Sequence, residues 1–198
     1  YDETLAVLKE IKYFDYAIVI RGKKIVIAAY TDTSLRKAMT YFNNNFLTKI
    51  AQDADGDFAI SFEDWYFRSK YNVETLTLDG NPIEKYVVVY GKNTPAGATV
   101  AQSVVDVIAS ATGIYLPIVD DKTAETEVEI LADKTNRAVS SGIADLPNLS
   151  YKVSLQSGKL VIDCHSAETG DAAVRKLYAT KMSSGGNVAL TSGDLCEG

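Results

Sequence analysis

The chain is 198 residues long, 46% hydrophobic and 23% charged, with length and apolar content for one large globular domain or two small ones. Its formal net charge of −6 and pI near 4.9 exclude the clustered Lys and Arg with which a nucleic-acid interface displaces counterions. No stretch approaches the ~20 apolar residues of a membrane span. Because the chain opens on Tyr1 and not on Met, it reads as a processed or trimmed product with any targeting signal upstream.

In chain order, the first regular signals are two β-branched runs, residues 16–20 and 24–28, joined by a turn at Gly22; they predict a β-hairpin. Thr31, Asp32, Thr33 and Ser34 supply capping residues for a helix whose apolar stripe is Leu35, Met39, Phe42 and Phe46. A short strand over 57–61 follows Gly56. Extended runs at 73–78 and 85–90 flank the turn Asp79-Gly80-Asn81-Pro82. Thr94 is expected to cap a helix with Pro95 at its first position, running through Val100, Val104, Val107, Ile108 and Ala111 to a terminating Gly113. Further extended runs at 114–119 and 128–132 and a short helix over 137–146 lead to a second hairpin, residues 151–155 and 160–164 about Gly158. Ser166 to Thr169 then offer a helix cap, Val174, Leu177 and Tyr178 begin a helical stripe, and 187–191 form a last strand.

The two hairpin-and-helix segments align with each other. Setting Tyr16 against Tyr151 gives an offset of 151 − 16 = 135 that runs without a gap to Phe42/Leu177, with Tyr16/Tyr151, Lys24/Lys159, Val26/Val161, Ile27/Ile162 and Ala38/Ala173 identical. A second block matches at 186 − 56 = 130, from Gly56/Gly186 to Asp64/Asp194. Such self-similarity predicts a tandem repeat. Residues 1–70 would be the C-terminal half of a first α/β repeat, and residues 71–198 a second, complete one. The fold class expected is α/β (α+β), a mixed β-sheet layered with helices.

Particular residues carry a family resemblance. Thr94-Pro-Ala-Gly97, Ala101, Val104-Val105, the run Ala111-Thr-Gly-Ile-Tyr-Leu-Pro-Ile118, Glu129-Ile-Leu131, Tyr151-Lys-Val153, Gly158-Lys-Leu-Val-Ile162, Thr169-Gly170 and Ala173-Val174 together resemble the small α/β domain that precedes the catalytic barrel in β-N-acetylhexosaminidases and α-glucuronidases. The likeness covers residues 73–182, and its second half recurs over 16–46. It implies a non-catalytic module associated with carbohydrate metabolism, since in that family the acidic catalytic pair lies in the barrel. Tandem copies depart from the single domain usual there.

Candidate chemistry is sparse. Asp163-Cys164-His165 holds the only His and one of two Cys, the partners of a thiolate nucleophile. Neighbouring strand residues point to opposite faces unless the strand has ended, however, and the first copy has Ala28-Ala29-Tyr30 there, so a structural role is expected. Cys164 and Cys196 are too few for a metal framework, and a disulfide between them is disfavoured because Cys196 lies in a terminal tail. Asp53, Asp55, Asp57, Glu63 and Asp64 suggest a calcium loop, but the glycine comes two residues early for that pattern, and a solvated turn is expected. Asp120-Asp121 reads as a loop, Glu127 and Glu129 as the outward positions of a half-exposed strand, and Arg21-Gly-Lys-Lys24 as a solvated hairpin tip. Nothing matches a nucleotide-binding loop or a nucleophile elbow, and no cofactor or metal is expected.

The aromatics Trp65, Tyr66 and Phe67, with Tyr71, cluster where the two copies join. They are expected to cement adjacent repeats or, as the alternative, to stack on a glycan. The function expected is a non-catalytic accessory or scaffold module of a secreted or cell-surface bacterial protein. The alternatives are a glycan-binding module and a fragment of a glycoside hydrolase whose barrel lies outside this chain. Its partners would be neighbouring repeats or domains of the same protein, a glycan, or a second copy joined through the incomplete N-terminal unit.

Overall fold

A computed structural model describes residues 2–52, 55–56, 58–94, 96–139 and 146–198. The chain has mixed α/β architecture and divides into two compact units, Tyr1–Lys70 and Tyr71–Gly198.

The N-terminal unit starts with helix α1 (Asp2–Leu8) and the hairpin β1 (Tyr16–Arg21) and β2 (Lys24–Ala29). Gly22 takes a left-handed φ of 61° in the two-residue loop, a conformation glycine adopts without steric cost. Helix α2 (Asp32–Asn45) follows, capped by the Thr31 side chain accepting from Ser34 N–H. Next come the two-residue pair β3 (Ala51–Gln52) and β4 (Phe58–Ala59), then β5 (Trp65–Phe67). The sheet order is β2-β1-β5, all antiparallel. Because strand side chains alternate, Ala17, Val19, Val26 and Ala28 meet Val7 and Ile11 on one face. Tyr16 and Ile18 meet Ala38 on the other, with Phe42, Phe46 and Phe62 packed around them. The buried face of α2 runs through Ser34 and Ala38, whose small side chains let the helix lie close to the sheet. It does not include Met39, which is 57% exposed and corrects the apolar stripe drawn from spacing. Of the strand expected over 57–61, β4 takes Phe58–Ala59 and residues 60–61 lie beyond it, while residue 57 is outside the described residues.

The C-terminal unit opens with β6 (Val73–Leu78), a turn with Asp79 and Gly80 both at positive φ, β7 (Asn81–Pro82), a 3₁₀ turn over Ile83–Lys85 and β8 (Val87–Tyr90). Helix α3 (Gly97–Thr112) starts later than expected. Ala96 occupies its N-cap without a side-chain bond, and the Thr94 hydroxyl donates to the Gly91 carbonyl, so Thr94 does not cap it; Pro95 is outside the described residues. Gly113 ends the helix at φ 77°, its N–H on Ala109 O, as a left-handed terminator does. Strands β9 (Ile118–Asp120) and β10 (Glu129–Ala132) follow. The helix expected over 137–146 falls mainly on 140–145, which are not described. Then come the hairpin β11 (Tyr151–Gln156) and β12 (Lys159–Cys164), helix α4 (Ala167–Leu177), a π turn over Tyr178–Met182, β13 (Gly186–Leu190) and β14 (Gly193–Glu197). Ser166 and Thr169 form a capping box at the start of α4.

Six strands order β14-β11-β12-β10-β8-β9. From β12 through β9 they run parallel, while β11 is antiparallel to both neighbours. Val100, Val104 and Ile108 of α3 and Ala173, Val174 and Leu177 of α4 pack with Val88, Ile130, Val153, Leu160 and Ile162 of the sheet, and Leu76, Leu78, Val188 and Leu190 of the small sheet β13-β6-β7 join the same core. Cys196 lies in β14 opposite Val153, so the C-terminal segment is a paired strand and not a loose tail; both cysteines are free.

The hairpins of the two units have the same register at the 135 offset. Tyr16 opposes Ala29 and Arg21 opposes Lys24, as Tyr151 opposes Cys164 and Gln156 opposes Lys159. The caps Thr31 and Ser166 and the buried Ala38 and Ala173 keep that spacing. In each unit a later antiparallel strand pairs with the first hairpin strand, Ala17 with Tyr66 and Lys152 with Glu197.

Gly170 marks a close approach of α4 to α3, since a Cβ there would sit 2.3 Å from Val100 Cγ2. Overpacking of a tight core costs about 1–3 kcal/mol, more than the ~1 kcal/mol that Ala gains over Gly in a helix. Gly170→Ala is therefore expected to lower urea-unfolding stability, and much less so in a Val100→Ala background; equal losses in both would show that the helices do not meet there.

Candidate functional site

The aromatic candidates lie on β5 of the N-terminal unit, and β5 pairs only through its β1 side among the described residues. Trp65 and Phe67, two residues apart, share the face that α2 covers. Trp65 stacks on Tyr41 at 4.7 Å and 10°, and Phe67 on Tyr16 at 4.9 Å and 11°. Each ring is thus backed by another, yet Trp65 stays 38% and Phe67 39% exposed. Tyr66 points the other way. Its hydroxyl donates to Glu10 Oε2 at 2.5 Å and accepts from Arg21 Nη2 at 3.1 Å, while Arg68 sits 4.9 Å above its ring. The Glu10 bond, aided by burial, pushes the Tyr66 phenol pKa above its ordinary value. Arg21 also binds Asp64 at 2.5 Å, and that bond holds the Asp64 carboxyl below the usual range. The hairpin tip is therefore tied down at Arg21, while Gly22, Lys23 and Lys24 are exposed as expected. Tyr71 opens the C-terminal unit. The geometry within the N-terminal unit joins Trp65 and Phe67 into one platform with Tyr41 and Tyr16, and sets Tyr66 apart from it.

A cleft of about 420 Å³ lies at the carboxyl ends of β8, β10 and β12, lined by Thr94, Ala96, Asp133, Lys134, Cys164, His165, Ser166 and Ala167. Crevices in this position are where open α/β sheets bind ligands. Because β12 ends at Cys164, His165 escapes the strand alternation and both residues reach the same cleft. The opposition expected of two strand neighbours therefore does not apply to this pair. Burial, then the nearby Asp133 and Asp163 carboxyls, push the Cys164 thiol up to about 12. It is a neutral donor, and thiol nucleophiles act as thiolates. His165 Nε2 lies 2.8 Å from the Leu146 carbonyl. Asp133 takes φ 63°, uncommon for a residue with a side chain. Burial raises its pKa, against a bond from the Lys134 N–H and the neighbouring Thr94 and Cys164 side chains.

Asp163 is 3% exposed, and its Oδ1 has no hydrogen-bond partner among the described residues. Burial, then repulsion from Asp133, push it up to about 6.

Sequence reasoning missed the principal charged cluster. Glu129 is fully buried and accepts from Arg137 Nε at 3.1 Å, Arg137 Nη2 at 3.0 Å and Lys159 Nζ at 2.9 Å, besides the Thr126 N–H. Burial works against its charge, but the Arg137 and Lys159 bonds outweigh it and hold the pKa below the usual range. The alternation of Glu127 and Glu129 with Val128 and Ile130 suggested a half-exposed strand. Instead β10 is buried along its whole length, flanked by β8 and β12. The available signal was an acid heading an apolar run together with a lysine heading another. Lys159 also bonds Glu125. With Asn81, Thr126, Glu127, Ser157 and Gly158 these two line a second cleft of about 570 Å³. Asp121 accepts from Lys92 N–H and Asn136 N–H, so its loop is anchored.

Among the described residues no group of three or more His, Cys, Asp and Glu is placed to hold a metal. Of the calcium-loop candidates, Asp53 and Asp57 lie outside the described residues. No described helix is long and apolar enough to cross a membrane. No protein-family model matches the chain, and no curated protein matches it.

A carboxyl whose folded pKa exceeds its unfolded value contributes stability below the unfolded value, here near pH 4, and loses it as pH rises through about 6. Asp163→Asn is therefore expected to be near neutral at pH 4 and to stabilise by up to roughly 3 kcal/mol at pH 8, read as the difference in unfolding free energy; a gain independent of pH would refute the assignment. Glu129→Ala strands two buried cations and is expected to cost about 3–5 kcal/mol. Glu125, half-exposed at 54%, is expected to contribute under ~1 kcal/mol when replaced by Ala in the same urea titrations.

Proposed function

We propose that this chain is a non-catalytic accessory or scaffold module of a secreted or cell-surface bacterial protein linked to carbohydrate metabolism. It would be built as one complete α/β repeat preceded by the second half of another. The observation that carries this reading is the matching of the two hairpins, strand register, helix cap and buried alanine alike, at one offset of 135 residues. A repeated unit that buries its faces against neighbours is a scaffold architecture. The carbohydrate link rests on the resemblance to the domain preceding the glycosidase barrel. The state of Cys164 and of the buried Glu129 is consistent with a structural role, since the thiol is neutral and the carboxylate is spent on two cations.

A specific observation favours one further reading, a glycan-binding module. Trp65 and Phe67 present partly exposed rings on one face, each held flat by a stacked partner, and such supported rings suit the apolar faces of sugars. Tyr66, committed to Glu10 and Arg21, would support the strand and not touch the sugar.

The chain is expected to show no turnover of aryl-glycosides; turnover that a point substitution abolishes would end the accessory reading. On a glycan array, hits that Trp65→Ala removes and Tyr66→Phe retains would establish the binding reading, and an array without hits would remove it.

A further inference from the structure

We propose that the outer edge of β2 is a docking site for a parallel β-strand from outside residues 1–198, one that carries an acidic residue followed by apolar ones. The inference rests on the repeat reading given above, under which β2 corresponds to β12.

The two strands have the same antiparallel partner in the same register but differ on the other side. Along its outer edge β12 pairs in parallel with β10, Leu160 with Ile130, Val161 with Leu131 and Ile162 with Ala132. No strand among the described residues pairs with the outer edge of β2. The backbone there is poised for one. Asp133 N–H donates to Ile162 O, so the position of Ile162 turns its peptide groups outward; at the 135 offset that position is Ile27, and by alternation Ile25 faces the same way. Unpaired edges of this kind are templates for a further strand.

Side-chain exposure marks the same vacancy. Leu160 is 2% exposed and its counterpart Ile25 is 40%. Lys159 has 7% of its side chain exposed, against 63% for the identical residue Lys24.

Charge specifies the occupant. Lys159 Nζ lies 2.9 Å from Glu129 at the head of β10. Lys24 instead reaches Glu3 of α1 at 2.8 Å, a partner itself 37% exposed. A strand docking as β10 does would bring an acid to Lys24 and apolar residues alongside Ile25 and Ile27, the pattern Glu129-Ile130-Leu131-Ala132. A second copy fits less well. A two-fold pairing of β2 with itself runs antiparallel, and β2 contains no acid to meet Lys24.

The test adds a synthetic peptide of residues 126–134, Thr-Glu-Val-Glu-Ile-Leu-Ala-Asp-Lys, to the full chain and reads backbone amide shifts and hydrogen exchange. Saturable binding that slows exchange at Ile25 and Ile27 is expected. Lys24→Glu should weaken it about tenfold, and a peptide with Glu129→Lys should recover the loss on that variant. Ile27→Pro, which removes an outward N–H, should abolish binding if the variant folds; the charge swap decides the matter if it does not. Three results would overturn the proposal: no saturable change at β2, peptide-induced change confined to the C-terminal sheet, or protection of β2 that tracks protein concentration without peptide. A chain that binds the peptide at β2 yet turns over aryl-glycosides would lose the accessory reading and keep the edge, whereas an inert chain that ignores the peptide would lose the edge alone.

Discussion

Lys159 cannot be buried in the C-terminal unit without a carboxylate beside it, and that requirement organises much of what surrounds it. An unpaired buried charge costs several kcal/mol, so the hairpin that places Lys159 at 6% exposure needs Glu129 at the head of β10, and Glu129 in turn draws in Arg137. The guanidinium then ties two loops together, donating to the carbonyls of Asp121 and Thr123 as well as to the acid. One ion triad therefore fixes where β10 begins and how the connections on either side of it lie. Sheet and loops share a single electrostatic anchor.

The sequence made the local structure legible where the signal was local. Hairpins follow from two β-branched runs and a two-residue loop, and helix starts at Thr31 and Ser166 follow from hydroxyls that accept an N–H three residues on. What was not legible depends on partners distant in sequence. Glu129 alternates with apolar residues as a half-exposed strand would, and only the parallel neighbours β8 and β12 make it a core position. Thr94 has the chemistry of a cap, but its hydroxyl is taken by Gly91 O, where the chain passes so close to Lys134 O that a Cβ on Gly91 would lie 2.0 Å from it. Met39 falls on an apolar stripe by spacing, yet the sheet accepts the smaller Ser34 and Ala38.

The candidate site was partly legible for the same reason. The run from Trp65 to Phe67 is conspicuous as composition, but composition does not say that alternate residues part company. The strand sends Trp65 and Phe67 to stack on Tyr41 and Tyr16 and sends Tyr66 to Glu10 and Arg21. Asp163-Cys164-His165 was conspicuous too, and there strand alternation misled, because the strand stops at Cys164. The cleft that results is set by burial: it keeps the thiol protonated and lifts Asp133 and Asp163 together. Keeping these carboxyls buried costs folding stability at neutral pH.

Comparing Lys24 with Lys159 joins these observations. The residue type, the hairpin register and the following apolar residues are held constant, so the difference in burial comes from what lies across the outer edge. Where β10 is present, the lysine is enclosed and charge-paired; beside β2, where no strand pairs among the described residues, the lysine extends to the helix α1 and its neighbour Ile25 stays exposed. A solvent-exposed pair such as Lys24 with Glu3 contributes little and is readily exchanged for a better partner, whereas the Lys159–Glu129 pair is buried between paired strands. The two hairpins thus differ in the setting of this lysine: Lys159 has Glu129 at the head of the adjacent strand, and Lys24 has Glu3 of α1.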